Sequence, residues 1–147
     1  MNSFDEYSVK TTSAFFCSEG YSVSATPYQY DGIDLLIEND KGIVGVEVKG
    51  RSYSHDFFGD IRVEQTKLDS ANEYIKEGRC RAVWVASLFS DGYLCLGNIR
   101  NGKPTTGIAP KTTCFYDCGK VEKQFIDVPQ QLVVQVAKTD DGYSFKR

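Results

Sequence analysis

Two short apolar runs separated by a polar turn stand out in the first third of the chain. Residues 33–37 and 43–48 are each of strand length, and residues 39–42 between them read Asn-Asp-Lys-Gly. Asparagine, aspartate and glycine are typical of tight turns because they adopt the required backbone conformations at little cost. The pattern therefore predicts an antiparallel β-hairpin.

The open end of this hairpin collects charged side chains. Successive residues of a strand face opposite sides, so Glu47 and Lys49 share one face while Val46 and Val48 take the other. Asp34 stands near the start of the first strand and so lies beside the end of the second. An acid and a base therefore meet a second acid on an otherwise apolar pair of strands.

Helices and further strands are predicted on both sides of the hairpin. The second helix is indicated by an apolar stripe with spacings of three, four and seven residues that begins at Ile61. Asp91-Gly92 marks a second hairpin turn. The predicted ranges are helix 4–19, strand 21–26, helix 61–78, and strands 80–89 and 93–99.

The rest of the chain carries weaker patterns. Residues 101–107 are rich in Gly, Pro and Thr and predict a loop. At 147 residues we expect a single domain, 1–147, with its core over about residues 5–98 and a β-rich C-terminal extension over 99–147. The strand-like pieces of that extension are residues 112–116, 124–128 and 131–136.

Composition narrows the class of protein. The net charge is −3 and the pI ≈ 5.2, which argues against a protein that binds DNA mainly through phosphates. The five cysteines are odd in number and scattered, which indicates a reducing compartment. The sequence has neither a long apolar run nor the pattern of a secretion signal, so we expect a cytoplasmic protein with no membrane span.

The charged positions of the hairpin resemble a known nuclease motif. Asp34 followed by Glu47-Val48-Lys49 is similar to the PD-(D/E)XK nuclease superfamily, although Ile33 stands where the motif usually has proline. The resemblance implies an α/β (α+β) protein with a restriction-endonuclease-like αβββαβ core, a mixed sheet flanked by helices and extra C-terminal β segments. It also implies a divalent-metal-dependent deoxyribonuclease that uses Mg²⁺ or Mn²⁺.

The resemblance assigns roles to these residues. Asp34, Glu47 and the carbonyl of Val48 would be metal ligands, in keeping with the preference of these ions for oxygen. Lys49 would orient the attacking water or stabilise the transition state. The non-catalytic alternative is a salt bridge between Lys49 and either Glu47 or Asp34 on a half-exposed sheet.

The two predicted helices are expected to add catalytic side chains. In the superfamily the first helix often supplies another acid, for which Glu6 is the candidate, with Asp5 and Glu19 behind it. The second helix would offer Gln65 or Lys67. The alternative is that Glu6 only interacts with the helix dipole and that Gln65 and Lys67 are ordinary exposed residues.

The loop of residues 50–60 follows the candidate lysine directly and is polar, aromatic and bounded by glycine. Such loops often bind substrates. Arg51 and Arg62 are candidate phosphate contacts, and Tyr53 and His55 are candidates to stack on an unstacked base or, for His55, to bind a metal.

Two functions remain open. The compact core looks like Holliday-junction resolvases and small phage or mobile-element endonucleases, with DNA as partner and a possible homodimer. The alternative is a non-catalytic binding module on a vestigial nuclease fold. Cys114 and Cys118 with Asp117 invite a zinc site, but one pair and a distant histidine fall short of the usual four ligands.

Overall fold

A computed structural model describes residues 3–26, 32–110 and 120–147. It contains two α-helices, ten β-strands and one short 3₁₀-helix at Ile99–Asn101 within that part of the chain. The helices are α1 Ser3–Ser18 and α2 Gln65–Lys76. The strands are β1 Ser22–Ala25, β2 Leu35–Asn39, β3 Gly42–Arg51, β4 Asp60–Glu64, β5 Ala82–Phe89, β6 Tyr93–Asn98, β7 Lys103–Pro110, β8 Lys120–Pro129, β9 Leu132–Thr139 and β10 Gly142–Lys146.

A seven-stranded mixed sheet in the order β1-β2-β3-β5-β6-β9-β10 forms the centre of the molecule. The predicted hairpin is confirmed, since β2 and β3 pair antiparallel with Leu35 opposite Val46. Strands β3 and β5 pair in parallel, with Lys49 opposite Ser87, and α2 lies in the crossover between them. Parallel neighbours need such a crossover because a tight turn cannot join them.

Each face of this sheet covers its own hydrophobic core. On one face, Val44, Val46 and Val48 of β3 pack with Phe15 and Phe16 of α1. On the other face, the alternate residues of β5 pack with α2 and with the three-stranded sheet β4-β8-β7. The fold is thus a mixed α+β sheet with a helix on either side, as the sequence predicted.

The predicted start of the second helix and one predicted loop are wrong. The helix predicted over 61–78 begins only at Gln65, because residues 60–64 form β4 and pair with β8, Ile61 lying opposite Val128. The loop predicted over 101–107 instead contains the end of the 3₁₀-helix and most of β7, which pairs with β8. Both errors concern strands of the three-stranded sheet β4-β8-β7, in which β4 pairs with a strand more than sixty residues later in the chain.

The C-terminal strands extend both sheets. The pieces predicted at 124–128 and 131–136 are confirmed within β8 and β9, whereas β10 was not predicted. The predicted piece at 112–116 and the residues Cys114, Asp117 and Cys118 lie outside the described residues. Within the described part, no helix is long and apolar enough to cross a membrane.

The two sheets lie in close contact at Gly97 of β6, which faces the end of β8. A Cβ atom there would lie 2.4 Å from the carbonyl oxygen of Pro129, whereas at Gly45 it would lie 2.8 Å from Cδ1 of Ile33. A backbone carbonyl held in a strand cannot move aside as easily as the end of a side chain. Gly97→Ala should therefore destabilise the protein by ~1–3 kcal/mol more than Gly45→Ala.

Chemical denaturation of both variants beside the parent protein measures this difference. Equal losses in the free energy of unfolding would show that the contact at Gly97 does not constrain the packing of the sheets.

Candidate active site

The cleft beside the open end of the β2–β3 hairpin brings together side chains from four segments of the chain. Its volume is about 300 Å³. Both helices reach it, α1 with Asp5 and Val9 and α2 with Lys67. The residues that line it are Asp5, Val9, Gly32, Asp34, Glu47, Val48, Lys49 and Lys67.

Asp34 is fixed by the backbone of β3. The amide of Val48 donates a hydrogen bond of 2.7 Å to Oδ2 of Asp34, and the amide of Asp34 donates one of 2.9 Å to the carbonyl of Val46. Among the described residues, no other hydrogen bond to this carboxylate is recorded. Its position is thus set by the end of the strand ladder, and Oδ1 remains for a ligand.

Glu47 is mostly withdrawn from water, with 16% of its side chain exposed. Burial raises the pKa of this carboxyl to about 7, and the nearby Asp34 adds to the rise, while Lys67 opposes it. The closest cation is Lys67, whose Nζ lies 3.9 Å from Oε1 of Glu47. Glu47 therefore gives up its proton readily only when further positive charge is present.

Asp34 shows the same behaviour in a weaker form. Burial raises its pKa, the hydrogen bond from the Val48 amide and the charges of Lys67 and Lys49 lower it, and Asp5 raises it again, with a net rise. Two partly buried carboxylates with raised pKa values beside each other are a candidate functional site.

The acid that α1 brings to the cleft is Asp5, not Glu6. Oδ1 of Asp5 accepts a hydrogen bond of 3.2 Å from the amide of Gly50, next to Lys49. Glu6 is exposed and does not line the cleft, and neither does Glu19. Gly50 permits this approach, since a Cβ there would lie 2.7 Å from the ring of Phe4.

The residue that α2 brings to the cleft is Lys67, not Gln65. Gln65 is the first residue of α2 and donates to Asp69 on the helix surface, at 3.4 Å. Lys67 crosses Gly32, where a Cβ atom would lie 3.1 Å from Nζ. Gly32 also has a φ of +80°, which disfavours any side chain there.

Arg51 and Arg62, the two predicted phosphate contacts, do not line the cleft, and each has a partner within the protein. Arg51 shares the face of Glu47 and Lys49 on β3, and its guanidinium donates a hydrogen bond of 2.6 Å to the carbonyl of Arg62. Arg62 lies on β4, exposed, with Nε 3.1 Å from Oδ1 of Asp127. Arg51 is close enough for its charge to lower the pKa of Glu47.

The structure does not bring Tyr53 and His55 into the cleft. The ring of Tyr53 packs against the buried Phe89 at 5.7 Å. His55 stacks on Tyr93 at 4.0 Å, and its Nδ1 lies 2.6 Å from Oδ2 of Asp91. Although burial raises the pKa of Asp91, hydrogen bonds from the side chain and backbone of His55 lower it below its usual value.

A metal ion fits the donor set of the cleft. Asp34 and Glu47 offer hard oxygen atoms, and because burial raises the pKa values of both, nearby positive charge would stabilise their ionised forms. Mg²⁺ and Mn²⁺ prefer such oxygen ligands. His55, Asp56 and Asp91 also bring ligand atoms within 4.8 Å of one another, but there the imidazole already pairs with a carboxylate.

Comparison with known proteins supports the fold. No protein-family model and no curated protein matches the sequence. Among solved structures, the chain is similar to Hjc, a Holliday junction resolvase from the archaeal hyperthermophile Archaeoglobus fulgidus, with a TM-score of 0.54 and 10% sequence identity. The similarity covers 80% of this chain and 84% of Hjc. The protein therefore has a restriction-endonuclease-like fold, as predicted from the sequence.

Proposed function

We propose that this protein is a divalent-metal-dependent deoxyribonuclease that hydrolyses phosphodiester bonds of DNA. The observation that carries the proposal is the meeting of Asp34, Glu47 and Lys49 in one cleft of a nuclease fold. The cleft adds Lys67 and Asp5, which come from different helices. A salt bridge on an exposed sheet does not account for two partly buried acids with raised pKa values in one cleft.

Asp34 and Glu47 would hold the cation, and the carbonyl of Val48 would offer a further oxygen. When bound, Mg²⁺ or Mn²⁺ lowers the pKa of a water molecule and neutralises charge on the phosphate. The hydrogen bond from the Val48 amide keeps the Asp34 carboxylate in one orientation before any ligand arrives. Such preorganisation avoids a cost of rearrangement during the reaction.

The cationic side chains would act on the phosphate. Lys49, exposed at the rim of the cleft, would donate a hydrogen bond to the attacking water or to a non-bridging oxygen. Lys67 would balance part of the charge of Glu47, and the cation would balance the rest. Arg51 and Arg62 would contact phosphates farther along the strand, where their present partners are a carbonyl and Asp127.

Hjc is a Holliday junction resolvase. By analogy, we propose branched DNA as the substrate of this protein. Cutting two strands requires two sites, so we also propose a homodimer. A cytoplasmic location and a phage or mobile-element origin complete the proposal.

Lys49→Ala should lower the rate of metal-dependent cleavage about 100-fold to 1,000-fold, the usual loss when a transition-state donor is removed. Purified protein is incubated with supercoiled plasmid, single-stranded DNA and a four-way junction, each with Mg²⁺, Mn²⁺ or chelator. Lys41→Ala, which removes an exposed lysine at the hairpin turn, serves as the control. Absence of cleavage by the parent protein in every lane would favour the binding module instead.

Asp5→Asn should lower the cleavage rate about 10-fold to 100-fold, because residues that support metal ligands contribute on that scale. Asparagine keeps an oxygen for the amide of Gly50 and removes only the charge. Glu6→Gln, on the adjacent exposed position of α1, should cleave like the parent. The opposite ranking of the two variants would restore Glu6 as the acid of the first helix.

The stability of the metal-free protein should fall as the pH rises. The pKa of Glu47 is raised from its ordinary 4.5 to about 7 in the folded protein, so the folded state binds a proton more tightly than the unfolded chain. This contribution is complete below about pH 4.5 and is lost as the pH rises through 7, by ~3 kcal/mol.

Denaturation in chelator across this range measures the effect. Glu47→Gln should flatten most of the pH dependence and be more stable than the parent at pH 8, whereas Glu38→Gln, on an exposed position of β2, should leave it unchanged. An identical slope for the parent and Glu47→Gln would contradict the raised pKa.

A further inference from the structure

The loop of residues 52–59 between β3 and β4 displays two aromatic rings to solvent. Phe57 is 68% exposed and Phe58 64% exposed. Ile108 on β7 is the other large apolar side chain of the described residues with such exposure, at 75%. Two adjacent exposed phenylalanines are unfavourable in water, so a binding partner is the natural explanation.

The two rings are held in place from below. They contact each other edge to face with centroids 4.7 Å apart, and Tyr53 lies 5.1 Å from Phe58 and 6.0 Å from Phe57. Tyr53 in turn packs on the buried Phe89. The exposed rings thus rest on the hydrophobic core, and a ligand that stacks on them meets an ordered surface.

The rest of the loop is tied to the β5–β6 hairpin. The amide of Ser90 donates to the carbonyl of Tyr53 at 3.1 Å, and the amide of His55 donates to Asp91 at 3.2 Å. Together with the His55–Asp91 pair, these bonds fix both ends of the segment that precedes the rings. The predicted stacking residues therefore serve as supports, and the rings that remain accessible are Phe57 and Phe58.

The loop continues the strand that carries the candidate catalytic residues. Glu47, Lys49 and Arg51 share one face of β3, and a strand advances ~3.3 Å per residue. Arg51 therefore lies roughly 13 Å beyond Glu47, about the span of four nucleotides of duplex DNA, and the loop begins there. DNA bound at the cleft and along Arg51 would reach the loop with its next bases.

The size of the patch favours a small planar partner. A phenylalanine offers about 150–250 Å², so two rings exposed by two thirds present roughly 250 Å². A stable dimer buries about 800 Å² on each partner, which these rings cannot supply alone. A single nucleobase covers a surface of this size.

The charges around the rings also select the partner. Asp56 and Asp60 flank Phe57 and Phe58 and are both exposed. These carboxylates repel anionic lipid, so the rings are unsuited to a membrane surface, whereas Arg62, which lines a pocket with Phe58 and Asp60, is the nearby cation for a phosphate. An uncharged base turned out of the helix meets no such repulsion.

We propose that Phe57 and Phe58 form a stacking platform for an unstacked nucleobase of the DNA. The proposal rests on the proposed nuclease function and deepens it. The platform gives the protein a preference for DNA with unpaired bases over continuous duplex, because a base within a duplex is already stacked on its neighbours. Stacking on aromatic side chains tolerates any base, so the preference is for structure rather than sequence.

The test compares DNA affinities in a Lys49→Ala background, in which cleavage is expected to be about 100-fold to 1,000-fold slower and the candidate metal ligands are kept. Fluorescence anisotropy in Mg²⁺ gives the Kd for a labelled single strand and for the same strand in duplex. Replacing both Phe57 and Phe58 by leucine keeps apolar volume but removes the flat rings. This should raise the Kd for the single strand about tenfold or more and change the Kd for duplex less than about twofold.

Matched variants separate stacking from other causes. Replacing both rings by tyrosine should retain the preference for the single strand, and Ile108→Ala should not alter either Kd. The proposal is wrong if the Lys49→Ala parent binds both DNAs equally, or if the leucine variant matches it or loses affinity for both alike. It is also wrong if light scattering shows a dimer for the parent and a monomer for the leucine variant, because the rings would then belong to the dimer interface.

Cleavage assays on protein with Lys49 intact distinguish the two levels of the proposal. Metal-dependent cleavage by the parent together with unchanged strand preference in the leucine variant would reject only the platform. Absence of cleavage by the parent on every DNA would reject the nuclease function itself.

Discussion

The hydrogen bond from the Val48 amide to the Asp34 carboxylate joins the strand ladder to the chemistry of the cleft. Asp34 precedes Leu35, the first residue of β2, so β2 does not extend alongside the last residues of β3, which continues to Arg51. The Val48 amide is part-buried and needs an acceptor, since an unpaired buried amide costs about 1–3 kcal/mol. Asp34 supplies that acceptor from a side chain, so the same contact that ends the hairpin also positions a carboxylate beside Glu47.

This arrangement concentrates three acidic side chains in one cleft at the end of the β2–β3 hairpin. Asp5, Asp34 and Glu47 reach one cleft, and burial raises the pKa values of the last two. At Glu47 and Val48 strand β3 is paired with β5, and on its other side the Val48 amide is held by Asp34, so the backbone cannot easily relax to separate the acids. The resulting demand for positive charge is met in part by Lys67, and it is the physical reason that the cleft suits a divalent cation.

Local patterns were enough to predict the hairpin, the two helices and the motif, because each depends on residues near in sequence. The elements that depend on distant partners were missed. Ile61 and Val63 are buried and alternate with exposed positions, as a strand requires, but the partner of β4 is β8, more than sixty residues later. The choice of Asp5 over Glu6 has the same origin, since neighbouring helix positions differ by ~100° and only the docking of α1 on Gly50 selects one.

The orientation of the aromatic residues in the loop of residues 52–59 also depends on contacts with residues distant in sequence. From the sequence, Tyr53 and His55 are the candidates to stack on a base, not Phe57 and Phe58, because the local pattern does not show which aromatic side chains of this loop stay accessible. The β5–β6 hairpin ranks them, because Phe89, Asp91 and Tyr93 hold Tyr53 and His55 and leave the other two rings outward. This hairpin contains the strand that pairs in parallel with β3, so one strand pairing sets both the position of the acids and the direction in which Phe57 and Phe58 face.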